Sequence, residues 1–170
     1  MRSTMSNKIL SHTEIQHKIK RIAYQIYEAN VDEPEIIIAG IEGGGLSFAK
    51  KIQSVLQQIT DAKIILCTVY MDKKNPLASG VSTSLPESGY TDRSVVLIDD
   101  VLNSGTTLIY GVHHFLRVPL KQLKTAVLVN RNHKKYPVKA DYKGISLSTS
   151  LQEHIIVEFK DRDDSVYLSE

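Results

Sequence analysis

The run Val95-Val96-Leu97-Ile98-Asp99-Asp100-Val101-Leu102-Asn103-Ser104-Gly105-Thr106-Thr107 sets two adjacent carboxylates beside a turn of small polar residues and a helix start. A buried strand that delivers Asp99 and Asp100 to its C-terminal end puts them where ligands of open α/β sheets bind. Backbone N–H groups around Ser104-Gly105-Thr106-Thr107 are placed to hold an anion, helped by the helix dipole and the Ser/Thr hydroxyls. Gly105 allows close backbone approach. The ligand that suits this pattern carries a phosphate at one end and hydroxyls, or a metal, at the other. Two more segments bear on an anion. Gly40-Ile41-Glu42-Gly43-Gly44-Gly45-Leu46 is glycine-rich, and Lys73-Lys74 open a long polar stretch. Taken alone, the first also suits a plain strand-to-helix turn and the second a solvated face.

The elements that must position these residues follow from the hydrophobic period. Ser11 and Glu14 have capping-box spacing, with Leu10 and Ile15 as the staple around it. Ile15, Ile19, Ile22, Ala23 and Ile26 then draw one stripe along a helix that ends near Asn30 and Asp32-Glu33-Pro34. Ile36-Ile37-Ile38-Ala39 is a continuous apolar run, expected of a strand buried on both faces. Leu46, Ala49, Ile52 and Leu56 resume the helical spacing. Further strands are predicted over Ile64–Met71, Val95–Ile98, Thr125–Val129, Ile155–Phe159 and Val166–Leu168, with a helix from Thr106 to about Leu116. Between them, Asp72 to Asp92 shows no convincing period and reads as a functional lid or a disordered loop. Strands alternating with helices predict an α/β fold with a mainly parallel sheet flanked by helices.

Composition narrows the function classes. The 170 residues predict one domain spanning 1–170; hydrophobic residues are 42% and charged residues 24%, which excludes a mainly disordered chain. Twenty-one Lys and Arg against nineteen Asp and Glu leave +2, too small an excess to signal nucleic-acid binding. The single Cys67 excludes an internal disulfide framework and favours a reducing, cytoplasmic compartment. No apolar run approaches the roughly 20 residues of a membrane helix, and MRSTMSNKIL has no secretory apolar core.

The run from Val95 to Thr107 resembles the signature of the type I phosphoribosyltransferases: four apolar residues, two acids, two apolar residues and a small polar loop ending in Thr. That resemblance implies a phosphoribosyltransferase fold with a small hood. It assigns Asp99 and Asp100 to the 2′- and 3′-hydroxyls of phosphoribosyl pyrophosphate (PRPP) and, directly or not, to Mg²⁺. It assigns Asn103, Ser104, Gly105, Thr106 and Thr107 to the 5′-phosphate. Ile41, Glu42, Gly43 and Gly44 fall in the pyrophosphate loop, and Tyr70, Asp72, Lys73 and Lys74 at the catalytic lid. The stretches AVLVNRNHK (Ala126–Lys134) and ADYKGISLSTS (Ala140–Ser150) are similar to those of the pyrimidine operon attenuation regulators, which are also uracil phosphoribosyltransferases. From that group, Arg131, Ile145, Ser146 and Leu147 are implied at the base, with a homodimer and a soluble cytoplasmic location.

Departures from the pattern keep other functions open. Those regulators carry Lys, Thr and Arg where this chain has Glu42, Gly43 and Gly44, and an Arg at Met71. This points to weakened catalysis, or to a PRPP- or nucleotide-sensing RNA-binding regulator. Lys18, Lys20, Arg21, Lys134 and Lys135 are the basic residues available to RNA, but Lys20 and Tyr24 stand where the regulators have Thr and His. Hypoxanthine-guanine enzymes usually place an Asp at Asn103. A purine phosphoribosyltransferase with an altered loop is the remaining alternative.

Overall fold

The computed structural model describes residues 7–150 and 152–169. Helix α1 (His12–Ala29) begins at the expected N-cap: the Glu14 N–H donates to Ser11 Oγ, and the Ser11 N–H donates to the Glu14 carboxylate. Its five stripe residues, Ile15, Ile19, Ile22, Ala23 and Ile26, are all buried. Each such isoleucine contributes about 1.5–3 kcal/mol of burial. Asn30 closes the helix; its side chain donates to the Ile26 carbonyl and accepts from Ser94 Oγ.

The main sheet has the order β4-β3-β2-β5-β6-β7. It comprises β2 (Glu35–Ile41), β3 (Lys63–Tyr70), β4 (Ser82–Thr83), β5 (Ser94–Leu102), β6 (Gln122–Asn130) and β7 (Tyr142–Ser146). All neighbours run parallel except β4, which pairs antiparallel with β3. The pleat sorts the apolar runs onto two faces. Ile36, Ile38, Val96, Ile98, Ala126 and Leu128 pack with α1 and α2 (Gly44–Ile59). Ile37, Ala39, Ile41, Val95, Leu97 and Val127 pack with Leu108 and Phe115 of α4 (Thr106–Phe115) and with Tyr90. This is why those strands read as continuous apolar runs: both faces are covered.

Three details correct the sequence-level expectations. β5 does not stop at Ile98; it continues through both acids to Leu102, with Asp99 opposite Val127 and Val101 opposite Val129. Strands form at β1 (Asn7–Leu10) and β7, for which no period was evident, because each is only four or five residues long. The Asp72–Asp92 stretch is an ordered hood rather than a structureless loop. It holds α3 (Pro76–Ser79), β4 and a 3₁₀ turn at Glu87–Gly89. Ser84 binds both the N–H and the carbonyl of Thr68, and Tyr90, fully buried, packs edge-on against Phe115 at 4.9 Å. A second, antiparallel sheet, β1-β9-β8, joins the N-terminal strand to β8 (His154–Glu158) and β9 (Ser165–Ser169).

Candidate functional site

The C-terminal end of β5 and the turn that leads into α4 build the site. Asp99 is buried to 3% exposure, and both of its carboxylate oxygens are engaged. Thr107 Oγ1 donates to Oδ2 at 2.7 Å, and the Asp100 N–H donates to Oδ1 at 2.9 Å. Burial and the neighbouring Asp100 charge push the Asp99 carboxyl up to about 7, against a partial pull downward from Lys73 and Thr107. Asp100 is half-buried; its Oδ1 accepts from the Val101 N–H at 2.9 Å. Its Oδ2 lies against the glycine loop, where a Cβ added to Gly44 would stand 2.1 Å away. Gly45 is equally confined, with a Cβ there 2.9 Å from the Ile98 carbonyl oxygen. The two central glycine-loop residues thus let helix α2 start directly against the acid pair.

Gly105 caps α4 with φ of 87°, a left-handed conformation that favours glycine. Ser104 Oγ and Thr106 Oγ1 share a hydrogen bond of 2.7 Å. Gly105 offers no side chain to cap the helix; the Thr106 N–H donates to Ser104 Oγ at 3.3 Å, and the N–H groups of Thr107 and Leu108 are left to an anion. From above, Val138 closes on Gly105, and the Lys135 and Tyr136 N–H groups donate to the Ser104 carbonyl. Those contacts fix the turn beside the carboxylates.

A cavity of about 490 Å³ joins these parts. Lys73, Lys74, Asp99, Asp100, Val101, Asn103, Ser104, Thr106, Thr107 and Ile155 line it. The structure therefore brings together the acid pair, the polar turn and two of the hood residues. Glu42 is exposed, and its N–H donates to the Val69 carbonyl, while Gly43, with φ of 96°, faces the Lys73 ammonium group. Ile41 is buried at the end of β2, and Tyr70 is 41% exposed at the end of β3. Asp72 Oδ1 accepts from the Lys74 and Asn75 N–H groups and shapes the turn that carries Lys73.

The residues expected at the base are held apart from the acids. Ile145 and Ser146 end β7 beside Val129 and Asn130, and the Leu147 N–H donates to the Asn130 carbonyl. Arg131 is 9% exposed, and its guanidinium clamps the following loop. Nε donates to Thr149 Oγ1 at 2.6 Å, and Nη2 donates to the Ser150 carbonyl at 2.8 Å and to the Glu153 carbonyl. Sequence reasoning missed Ile155. The apolar run at Ile155–Phe159 announced a strand, but its seat on the cavity wall depends on how the small sheet folds back.

Among the described residues, no group of three or more His, Cys, Asp or Glu side chains forms a metal cage. A pair of carboxylates is nonetheless the donor set that suits Mg²⁺, which keeps several waters and takes other oxygens from substrate phosphates. Asp100, whose Oδ2 accepts from no donor among the described residues, fits that role; each Asp99 oxygen already accepts one hydrogen bond and keeps acceptor capacity for one more.

A family model described as "Phosphoribosyl transferase domain" matches residues 5–163. The chain belongs to the phosphoribosyltransferase family. Within that family it is 34% identical over 163 residues to the bifunctional protein PyrR of Streptococcus pneumoniae, covering 94% of this chain and 93% of the relative. Solved phosphoribosyltransferases share its fold. A hypoxanthine-guanine phosphoribosyltransferase from Bacillus anthracis superposes with TM-score 0.72 at 21% identity, over 88% of this chain and 85% of that one. The hypoxanthine phosphoribosyltransferase of Trypanosoma cruzi gives 0.76 at 18% identity, over 96% and 97%. At such identities the likeness speaks for the fold alone: a mainly parallel sheet flanked by helices. No helix among the described residues is long and apolar enough to cross a membrane.

Proposed function

We propose that this phosphoribosyltransferase moves the phosphoribosyl group of PRPP to a pyrimidine base, uracil foremost, and releases pyrophosphate. The observation that carries the reading is the cavity in which two carboxylates meet a helix N-terminus of small hydroxylated residues and two lysines. In this reading, Asn103, Ser104, Gly105, Thr106 and Thr107 hold the 5′-phosphate through N–H and hydroxyl donors. Asp99 and Asp100 hold the ribose hydroxyls and offset the positive charge that builds on the ring as the C1′–O bond breaks. The electron pair of that bond leaves with pyrophosphate, and the incoming base nitrogen forms the new bond at C1′ while its proton passes to the departing pyrophosphate.

Mg²⁺ bound at Asp100 would supply charge neutralisation for the departing pyrophosphate. Of the loop residues Ile41, Glu42, Gly43 and Gly44, Gly43 and Gly44 meet that end with backbone groups, while Ile41 is buried and the Glu42 N–H is given to the Val69 carbonyl. Tyr70, Asp72, Lys73 and Lys74 cover it, keeping out the water that would hydrolyse PRPP. Ile145, Ser146 and Leu147 read the base with backbone groups at the end of β7, and Arg131 serves the same end by holding Thr149, Ser150 and Glu153. Two facts favour a pyrimidine. The 34% identity to a PyrR protein runs over nearly the whole chain. Asn103 also has no carboxylate to act as a base toward a purine ring nitrogen.

The test is pyrophosphate release from PRPP and Mg²⁺ with each common nucleobase in turn. Uracil is expected to give the fastest release, and the Asp99→Asn/Asp100→Asn double variant to abolish it. Preference for hypoxanthine or guanine would overturn the pyrimidine assignment. Release with no base at all would overturn transfer as the function.

A second reading, a nucleotide-sensing regulator that binds RNA, draws on Lys20 and Arg21, exposed on α1, and on exposed Lys134 and Lys135. Part of this surface is already committed, since Arg21 Nη2 donates to the Lys143 and Gly144 carbonyls. Gel shifts of a pyrimidine-operon leader RNA, with and without UMP, test it. A UMP-dependent shift supports the reading, and its absence counts against it.

A further inference from the structure

The glycine loop poses a charge problem. From Gly40 to Leu46 its one ionisable side chain is Glu42, yet it faces the end of the cavity assigned to the most negative part of the substrate. The fold also bars a cation from one obvious place: a side chain at Gly44 would begin 2.1 Å from Asp100 Oδ2 and collide with that carboxylate. A base there and Asp100 in its present position exclude one another.

Lys73 fills the gap from the other side. Its Nζ lies 3.4 Å from where a Cβ on Gly43 would stand, and it lines the same cavity as Asp99 and Asp100. Gly43 has φ of 96°, a conformation that disfavours any side chain, so the space over it stays open to the ammonium group. The position of Lys73 is prepared rather than incidental. The Asp72 turn holds the backbone on its C-terminal side, the Glu42 N–H ties the loop to β3 at Val69, and Ser84 anchors the hood back to Thr68. We infer that Lys73 is a relocated pyrophosphate-binding cation: the hood supplies, over the bare Gly43 backbone, the charge that the loop itself lacks. This rests on the reading of the cavity as a PRPP site and adds to it a specific division of labour. Among the side chains, Lys73 then carries most of the discrimination between a pyrophosphate-bearing ligand and a plain ribose phosphate.

Calorimetric titration of the full chain with PRPP and, separately, ribose 5-phosphate in Mg²⁺ tests this. The unmodified protein is expected to prefer PRPP. Lys73→Ala should weaken PRPP binding by at least about tenfold, the scale of a charge-assisted hydrogen bond. It should weaken ribose 5-phosphate binding much less, because that ligand has no group at Gly43 and meets Lys73 only through its effect on Asp99. Glu42→Lys in the Lys73→Ala background returns a cation to the loop and should restore most of the preference. Equal loss of both ligands, unaltered PRPP binding, or a double variant no better than Lys73→Ala would each overturn the inference. Failure of the unmodified protein to bind either ligand would instead overturn the PRPP reading itself, and this inference with it.

Discussion

Replacing Asp99 with Asn should make the protein more stable while disabling its site. The native carboxyl is 3% exposed and sits beside Asp100, which raises it from 3.8 to about 7. Between those values the unfolded chain has released the proton while the native chain still holds it, so the native state loses stability as pH rises through that window. Above it the ionised native form carries the full cost, about 4 kcal/mol at roughly 1.36 kcal/mol per pH unit. Asn removes this cost without leaving a gap, since its oxygen can accept from the Asp100 N–H and its amide can donate to Thr107 Oγ1. Because Asp100 shares the repulsion and Lys73 offsets some of it, the gain expected at pH 8 is about 2–4 kcal/mol. At pH 5 it should be smaller by about 2 kcal/mol. Thermal denaturation reads this as a rise of roughly 4–16 °C at pH 8 for a chain of this size. A variant no more stable than the parent at pH 8, or a gain that ignores pH, would refute the argument that Asp99 is a buried, repelled charge held for ligand binding. PRPP affinity should fall in the same variant.

Arg131→Ala strands acceptors at Thr149, Ser150 and Glu153, and a loss of about 2–3 kcal/mol is expected. Hydrogen exchange should quicken at Thr149, Ser150 and Glu153, and Arg131→Lys should recover less than half, because one ammonium cannot span the fork. A midpoint in chemical denaturation within about 0.5 kcal/mol of the parent would contradict the clamp. Ser11→Ala removes the cap of α1 and should cost about 1 kcal/mol with no change in PRPP binding. An unaltered midpoint would mean that tertiary packing alone holds that helix end.

Local patterns made much of the fold legible. The Ser11–Glu14 box marked the start of α1 to the residue, and the isoleucine stripe named its buried face. The β2 run declared itself by being apolar without alternation, and the structure covers it on both faces. The hood was not legible in the same way. Its elements are two to four residues long, too short for a period to develop, and it is ordered by distant contacts such as Ser84 with Thr68 and Tyr90 with Phe115. β7 is five residues long and takes its place from pairing with β6.

The site divides along the same line. The order of residues by itself determined that Asp99 and Asp100 precede a small polar turn and a helix, because these lie within a few residues along the chain. That proximity settles that the acid pair and the small polar turn share one edge of the sheet. Only the tertiary structure decided that Asp99 is buried and repelled, that Asp100 rests against Gly44, and that Ile155 forms a wall of the cavity. Desolvation, repulsion and close approach depend on distances between segments far apart in sequence, and spacing along one segment carries no information about them. For the same reason, a lysine that reads as part of a solvated pair proves to stand over a bare glycine thirty residues before it.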